Sequence, residues 1–441
     1  MNILYVSPRR CWPVDSGGRL RDYHLAKQLS RHAKVTYATV CYPEPNPTSD
    51  SSSPRVSPGN DAGMGLPSPE SFLERHIILP EARRYSLRNL IRGIVGSKPV
   101  TLLNWESGCA AEALAALGGQ VTFDSIQVEG VHMLTYLPVL RQFRGNPPIV
   151  CDWHDILSEQ MARYSDTEGN LAKRAYARRT ARLLERVETE MFHSSDSHTV
   201  VSDRDRAKIA ASCGGAASAS PSIHVIENGV DTGYFSDCQM DAAHAHWRRS
   251  SVESVPVVRN RVLFVGAMDY HANVDAVVRF AKEAWPDLYH KFPELRFTVA
   301  GKSPSPAVVA LGSANAGIEV TGTVPDVRPY YREARAVVVP LRMGSGTRLK
   351  ILEAMAAGVP VVSTSLGAEG LDVSARANIL IADTSMEMAK SVASLRKDPQ
   401  LCASLSTAAR ELVRQRYDWS LVGDRLFEIH RSLVPRSALS A

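Results

Sequence analysis

Short apolar runs recur along the whole sequence, each closed by glycine, proline or a polar turn and followed by enough chain for a helix. The first is Ile3-Leu4-Tyr5-Val6, ended by Ser7-Pro8. Gly17-Gly18 then lead into a helical stretch that stops near Arg31, and a second apolar run occupies 35–40. Strand, loop, helix and strand in that order open a parallel α/β sheet, because parallel neighbours need a crossover long enough to hold a helix. Strand-like runs continue at 77–79, 100–103, 121–123, 149–151, 199–201 and 223–226. A helix is predicted around 82–94. One long Arg-rich helix is predicted over 158–193, with an apolar stripe through Leu183, Leu184 and Val187. After a polar link at 236–258 the ladder restarts, with runs at 262–265, 297–300, 318–320, 336–339, 359–362 and 379–381. The pattern predicts two doubly wound α/β domains, 1–235 and 255–415. The closing segment 416–441 carries a stripe at Leu421, Leu426, Ile429 and Leu433 that predicts a last helix. Residues 43–70 interrupt the first domain. They are dense in Pro, Ser, Gly, Asn and Asp without an apolar period, and read as a solvated insertion.

Length and composition narrow the class. The chain's 441 residues exceed one ordinary core and suit two. With 44% hydrophobic and 22% charged residues it has the make-up of a globular protein. A net charge of +5 is too weak at this length to predict a nucleic-acid partner, and suits an anionic substrate or an anionic membrane surface. The seven cysteines are widely spaced with no C-x-x-C, which predicts reduced thiols rather than disulfides or a zinc site. No leader pattern opens the sequence and no run of about 18 apolar residues occurs. The expectation is a cytoplasmic protein, peripheral at most to the inner face of the cell membrane.

Candidate chemistry concentrates at residues 336–370, AVVVPLRMGSGTRLKILEAMAAGVPVVSTSLGAEG. A buried strand ends at Pro340. A loop with Gly344, Ser345, Gly346 and Thr347 feeds a helix from about Arg348 to Ala357, and Gly358 stops it. A helix N-terminus offers unpaired N–H groups and the positive end of a dipole to an anion, and Arg348 and Lys350 add fixed charge suited to a diphosphate. The plainer reading is a capped helix, with Thr347 or Ser345 at the N-cap and Lys350 and Glu353 as an i,i+3 pair.

The segment resembles the donor-site signature of the retaining glycosyltransferases of family 4, the group 1 type, and its wording is similar to that of sugar transferases from exopolysaccharide clusters. The resemblance extends, in order, through Gly17-Gly18, Asp152-Trp153-His154-Asp155, Ile226-Glu227-Asn228-Gly229-Val230-Asp231, Phe264-Val265-Gly266 and Val320-Thr321-Gly322. It implies the GT-B fold, two facing Rossmann-like domains with an interdomain cleft, the last helix returning to the N-terminal domain. It implies retaining transfer from a UDP- or GDP-sugar to the hydroxyl of a sugar or lipid-linked glycan acceptor, with bacterial exopolysaccharide or a related glycan as the product. Glu353 matches the second glutamate of the family's Glu–seven residues–Glu motif and is expected to hold the ribose hydroxyls. The first glutamate's place is taken by Ser345, which leaves Ser345, Gly346 and Thr347 to offer backbone N–H groups. Gly17 and Gly18 are expected beside the donor phosphates, and backbone near Val324 at the base. His154 is expected near the transferred sugar, with Asp152 and Asp155 as candidates for acceptor activation, Asp155 equally as a helix cap.

The sequence departs from the family at Ala267 and Asn273, where the family often carries an Arg and a Lys that face the diphosphate. Arg348 and Lys350 are expected to replace those charges from the other loop, with Arg9, Arg10 and Arg19 as the reserve. No DxD follows a strand, so neither a catalytic metal nor a cofactor beyond the donor is expected. Two alternatives stay open: a sugar-nucleotide epimerase of the same fold, for which no acid and histidine set can be assembled, and a non-catalytic nucleotide-sugar binding protein.

Overall fold

The computed structural model of the chain describes residues 1–14, 16–40, 66–80, 86–214, 221–238, 259–344 and 346–435. Most of the insertion at 43–70, most of the polar link, Ser345 and the last six residues lie outside the described residues.

The chain divides into two compact units. The described parts of Met1–Asp61, Leu66–Glu227 and Val422–Ala441 make the first, and those of Asn228–Leu421 the second. The first holds a seven-stranded parallel sheet: β1 (Asn2–Ser7), β2 (Lys34–Val40), β3 (Arg75–Leu79), β4 (Ser125–Glu129), β5 (Ile149–Trp153), β6 (Ser197–Val200) and β7 (Ser222–Val225), in the order β3-β2-β1-β4-β5-β6-β7. The second holds a six-stranded parallel sheet: β8 (Arg261–Val265), β9 (Arg296–Ala300), β10 (Ile318–Gly322), β11 (Ala334–Val339), β12 (Val361–Ser363) and β13 (Leu380–Ile381), in the order β10-β9-β8-β11-β12-β13. Both are doubly wound, and central strands such as Ile3–Val6 and Val337–Val339 are wholly buried because helices cover both faces.

Three local expectations are corrected. Residues Val100–Leu103 are a short helix, not a strand. Pro99 stands at its N-cap, and Val100, Leu102 and Leu103 are all buried; an apolar run this short does not distinguish a buried turn of helix from a strand. The run at 121–123 is a connection, and the strand after it, β4, was hidden by Gln127 and Glu129. Both are fully buried, and their polar atoms are largely paired inside the fold, Glu129 Oε2 alone of these oxygens having no hydrogen-bond partner among the described residues. The Tyr5 hydroxyl donates to Glu129 Oε1 at 2.6 Å, Gln127 Nε2 donates to the same oxygen at 3.2 Å, and Gln127 Oε1 lies 2.9 Å from His430 Nε2. The long Arg-rich helix is two, Leu157–Thr167 and Leu171–Ser194. Asn170 caps the second by accepting from the backbone N–H groups of Ala172 and Lys173.

The second unit begins at Asn228 rather than after a linker. Val230 N donates to Tyr417 O at 2.7 Å, and Phe235 stacks edge-on against Tyr331. The unit boundary passes through the last helix, Trp419–Leu433. Beyond Leu421 this helix packs within the first unit: Gly423 lies against Gln28, and His430 Nδ1 meets Ser125 Oγ at 2.7 Å.

Candidate functional site

In an open α/β sheet, ligands bind beyond the carboxyl ends of the strands where the winding reverses. In the second unit that point lies between β8 and β11. Gly266 follows β8. Pro340 and the loop to residue 348 follow β11, and the helix Leu349–Ala356 begins there. Lys350 reaches across this point. Its Nζ donates to Asn273 Oδ1 at 2.9 Å and stands 4.1 Å from the centre of the Phe264 ring. Asn273 Nδ2 in turn donates to the Ala267 carbonyl at 2.8 Å. A Cβ on residue 266 would come within 2.8 Å of both the Lys350 ammonium and Asn273 Nδ2, so a side chain there would displace this pair. The ammonium thus stands against the two positions, Ala267 and Asn273, where the sequence lacks the expected basic side chains. Burial first and the nearby Arg348 second lower its pKa to about 7, against a smaller opposing pull from Glu353.

Arg348 occupies the N-cap of the Leu349–Ala356 helix and is 8% exposed. Its guanidinium donates to the Gly346 carbonyl and lies beside Gly344, as does the Tyr270 hydroxyl. Gly344 and Gly346 hold φ of 109° and 79°, a left-handed turn that brings the loop into the helix. The helix has no side-chain cap, so neither Thr347 nor another described residue fills that place; Ser345 lies outside the described residues. Glu353, one turn along, is half-buried. The Tyr331 hydroxyl donates to its Oε2 at 2.9 Å, and burial raises its pKa. Tyr331 is fully buried and was not foreseen from sequence; it holds one carboxylate oxygen and so fixes how Glu353 presents the other. Val324 stands in the turn after β10, half-buried, two strands along the same edge.

In the first unit the winding reverses between β1 and β4. Gly17 opens the helix Gly17–Leu29, whose N-cap Ser16 makes no side-chain cap. Gly18 lies against the Arg9 guanidinium, which a Cβ there would approach to 3.1 Å. Arg9 is fixed by Asp22, through Nε to Oδ2 at 3.0 Å and Nη2 to Oδ1 at 3.2 Å, and Ser7 Oγ donates to Asp22 Oδ2 at 2.8 Å. Arg19 donates to the Pro13 carbonyl at 3.4 Å. His154 follows β5. Its Nδ1 is buried without a hydrogen-bond partner among the described residues, and burial lowers its pKa, opposed by Asp155 and aided by Arg9. His132, after β4, joins this group unannounced by any motif. Burial, then Arg9, then His154 lower it to about 4, so both imidazoles are neutral at pH 7. The available signal was glycine after a strand, Glu129-Gly130, hidden with β4 itself.

Asp152 is not a group that can face an acceptor. It is 0% exposed and bound by Arg21, Nε to Oδ2 at 2.8 Å and Nη2 to Oδ1 at 2.7 Å, and by Thr199 Oγ1 at 2.6 Å. Burial alone would raise its pKa; Arg21 more than offsets that and holds it below the usual carboxylate range. Arg21 also donates to the carbonyls of Ile226 and Glu227, which ties the first helix to β5 and to the chain after β7. Asp155 is partly exposed and caps nothing, since the following helix has Ile156 at its N-cap.

Residues 259–398 match the family model described as glycosyl transferases group 1. Among curated proteins the chain is similar to a phosphatidyl-myo-inositol mannosyltransferase of Mycolicibacterium smegmatis, 27% identical over 47% of this chain and 51% of the relative. It is also similar to an uncharacterised 44.6 kDa protein in the cps region of Klebsiella pneumoniae, 23% identical over 38% and 45%. The chain thus spans about half the length of the curated relatives it matches. Among solved structures, sucrose-phosphate synthase from Thermosynechococcus elongatus superposes with a TM-score of 0.65 at 17% identity over 98% of each chain. HepE of Anabaena, solved in complex with UDP, gives 0.62 at 15% identity over 98% of this chain and 100% of its own. The fold is that of the GT-B glycosyltransferases, built from two Rossmann-like units.

Proposed function

We propose that the chain is a glycosyltransferase that moves a sugar from a UDP- or GDP-sugar to the hydroxyl of a sugar or lipid-linked glycan acceptor, retaining the anomeric configuration and using no metal. The observation that carries this reading is the Lys350 ammonium, seated on Asn273 and Gly266 at the β8–β11 reversal with Arg348 beside it. Two cations at the start of a helix suit the charge that grows on a departing nucleoside diphosphate, and a preorganised contact of that kind needs no metal. Glu353, steadied by Tyr331, accepts from the ribose hydroxyls. Gly346 and Thr347 offer backbone N–H groups to the donor, and backbone beside Val324 receives the base. Gly17 and Gly18 leave room for phosphate near Arg9, and neutral His154 hydrogen-bonds the transferred sugar. The cps-region relative and the UDP complex of HepE support a nucleotide-sugar reaction in bacterial exopolysaccharide or related glycan assembly.

The test is a panel of UDP-, GDP-, ADP- and TDP-sugars. A bound donor raises the melting temperature with the logarithm of its concentration over its Kd. At least one UDP- or GDP-sugar should do so and release its nucleoside diphosphate slowly without acceptor, and product analysis in the same tubes separates transfer and hydrolysis from epimerisation. A panel in which no sugar nucleotide shifts the melting temperature overturns the reading.

A further inference from the structure

At the amino ends of the second sheet, opposite the strand ends that hold Lys350, one strand is deformed at an arginine. β8 and β11 pair in parallel, with Ala334 opposite Arg261 and Ala336 opposite Val262. Across that step β11 advances by two residues while β8 advances by one, and the extra residue is Arg335. The rest of β11 is alanine and valine. Ala334 and Ala336 have no exposed surface, whereas Arg335 is half-buried. A bulge leaves its extra residue out of the ladder and re-aims that side chain, and bulges between parallel strands are rare.

Three guanidinium groups gather at this edge. Arg335 Nε donates to the carbonyl of Arg259 at 3.3 Å, and its Nη1 meets Cys402 Sγ at 3.9 Å. Cys402 belongs to the helix Pro399–Leu412, which also carries Arg410. Arg410 lies against Gly358, its Cδ and Nε 3.4 and 3.5 Å from where a Cβ would stand. Burial first, then the Arg335 charge and less strongly Arg410, hold Arg259 below the ordinary guanidinium value. The strongest opposing influences on it are the thiols of Cys402 and Cys238, not a carboxylate. Neither Arg259 nor Arg335 enters an ion pair among the described residues. Arg261 marks the contrast on the same edge: Glu333 Oε2 accepts from its Nε at 2.6 Å, and Glu319 binds its other side.

We propose that Arg259, Arg335 and Arg410 form a second anion site in this unit, one that takes a phosphate group, as the free ion or as a phosphate monoester. Half-buried like charges repel and are poorly hydrated, and a dianion removes both penalties. The Arg259 guanidinium has no acceptor among the described residues, and Arg335 has Nη2 left beyond its two contacts. Guanidinium forks match phosphate oxygens two at a time, and three positive charges suit a dianion better than a single carboxylate. The five residues of β8 run from this edge toward the loops that hold Lys350, about 16 Å at the rise of a strand. One phosphate cannot serve both places.

The experiment is calorimetric titration of the full chain with inorganic phosphate and with glycerol phosphate, at an ionic strength held constant with chloride. Phosphate should bind saturably and raise the melting temperature with the logarithm of its concentration over Kd. Lys350→Met, which alters the donor site alone, should keep that response. Arg259→Gln with Arg335→Gln should weaken phosphate binding at least about tenfold, the loss expected of charge-assisted hydrogen bonds, and Arg259→Gln alone should weaken it in part. Both should keep the melting response to sugar nucleotide. In phosphate-free buffer Arg259→Gln should melt no lower than the parent, since it removes a charge that no described residue compensates. A drop there would make the arginine a strut of the fold and overturn the proposal. Glycerol phosphate bound more tightly than the free ion marks a monoester as the ligand, and the reverse order marks the free ion; both uphold the site. A parent that responds to phosphate no more than to matched chloride overturns it. So does a response lost in Lys350→Met and kept in Arg259→Gln with Arg335→Gln, which would put the phosphate at the donor site and leave the transferase reading standing.

Discussion

Each unit gathers positive charge around the ends of its strands, and the two neutralise it in opposite ways. In the first, the countercharge belongs to the fold. Arg21 is enclosed with Asp152, and Arg9 is clamped by Asp22, both carboxylates having no exposed surface. In the second, the direct contacts of the Lys350 ammonium are a neutral amide and an aromatic face, and burial with Arg348 nearby brings it down to about 7, Glu353 offsetting only part of that. A buried charge is costly unless something of opposite sign accompanies it. Where the chain supplies that partner, the charge is a strut. Where it supplies only a dipole, the charge is strained in the free protein and relieved by an anion. On the function proposed above, the difference divides cations that hold the fold from cations that meet a ligand, and no count of arginines and lysines in the sequence would separate them.

Removing one cation from each unit breaks or upholds that division. Arg21→Ala leaves Asp152 buried without its partner and should cost about 3–5 kcal/mol of stability in urea unfolding of the first unit. A loss under about 1 kcal/mol would mean that the pair is solvated and the contrast is empty. Lys350→Met should do the reverse. Exchanging a partly buried, poorly compensated ammonium for an apolar chain leaves unfolding unchanged or slightly improves it, while turnover at saturating donor falls by roughly 10²–10³. Unchanged turnover would place the neutralisation of the diphosphate elsewhere, with Arg9 and Arg19 the next residues to replace.

The same contrast explains what the sequence disclosed. The doubly wound class was legible because buried parallel strands are continuous apolar runs, and 336–339 and 297–300 recur among many such runs with helix-length chain between most of them. β4 was not, because its face carries Gln127 and Glu129, met by His430 from 303 residues away and by Tyr5 from 124 residues away in the chain. Long-range hydrogen bonds make a buried polar strand look like a loop. The Gly-rich loop and the helix after it were legible for the same local reasons that form them, glycine at left-handed φ and an apolar helical period. Expecting Lys350 to face the vacated position at 273 required the family resemblance; its contact with Asn273 Oδ1 is a tertiary fact. Asp152 was misread because a carboxylate at a strand end looks alike whether it faces solvent or an arginine 131 residues earlier in the chain.

Glu353 tests the second unit with a smaller effect. Glu353→Gln keeps the shape and a carbonyl for Tyr331 to meet, and removes the charge that accepts from ribose. It should weaken donor binding by about 1.5–3 kcal/mol with little further change in turnover at saturation, measured by calorimetry and initial rates. A turnover loss larger than the affinity loss would move Glu353 from holding the donor to acting on the reaction. Tyr331→Phe should reproduce part of the affinity loss through the freed carboxylate.

The smallest effect is also the most direct reading of an uncompensated charge. Lys350 has a folded-state pKa of about 7 against an ordinary 10.5. Between those values the unfolded chain holds a proton that the folded chain has released, so this group makes stability rise with pH across that window; below about pH 7 the charged form weighs against folding to its full extent. A diphosphate beside the ammonium reverses the balance by favouring the charged form and raising its pKa. Donor binding above about pH 7 must then take up a proton, and affinity should fall as pH rises, by at most about tenfold per unit, until the pKa of the complex is passed. Calorimetric titration of one UDP- or GDP-sugar between about pH 6 and 9, repeated in buffers of different ionisation heat, measures the slope and the proton together. Lys350→Met should flatten that limb and abolish the uptake. The first unit offers the control: the Arg21 and Arg9 pairs keep their charges throughout this range, so nothing there produces such a slope. An identical slope in the parent and in Lys350→Met would mean that the ammonium is already charged at pH 9, solvated like any surface lysine, and the distinction between the two units would fail at its central residue.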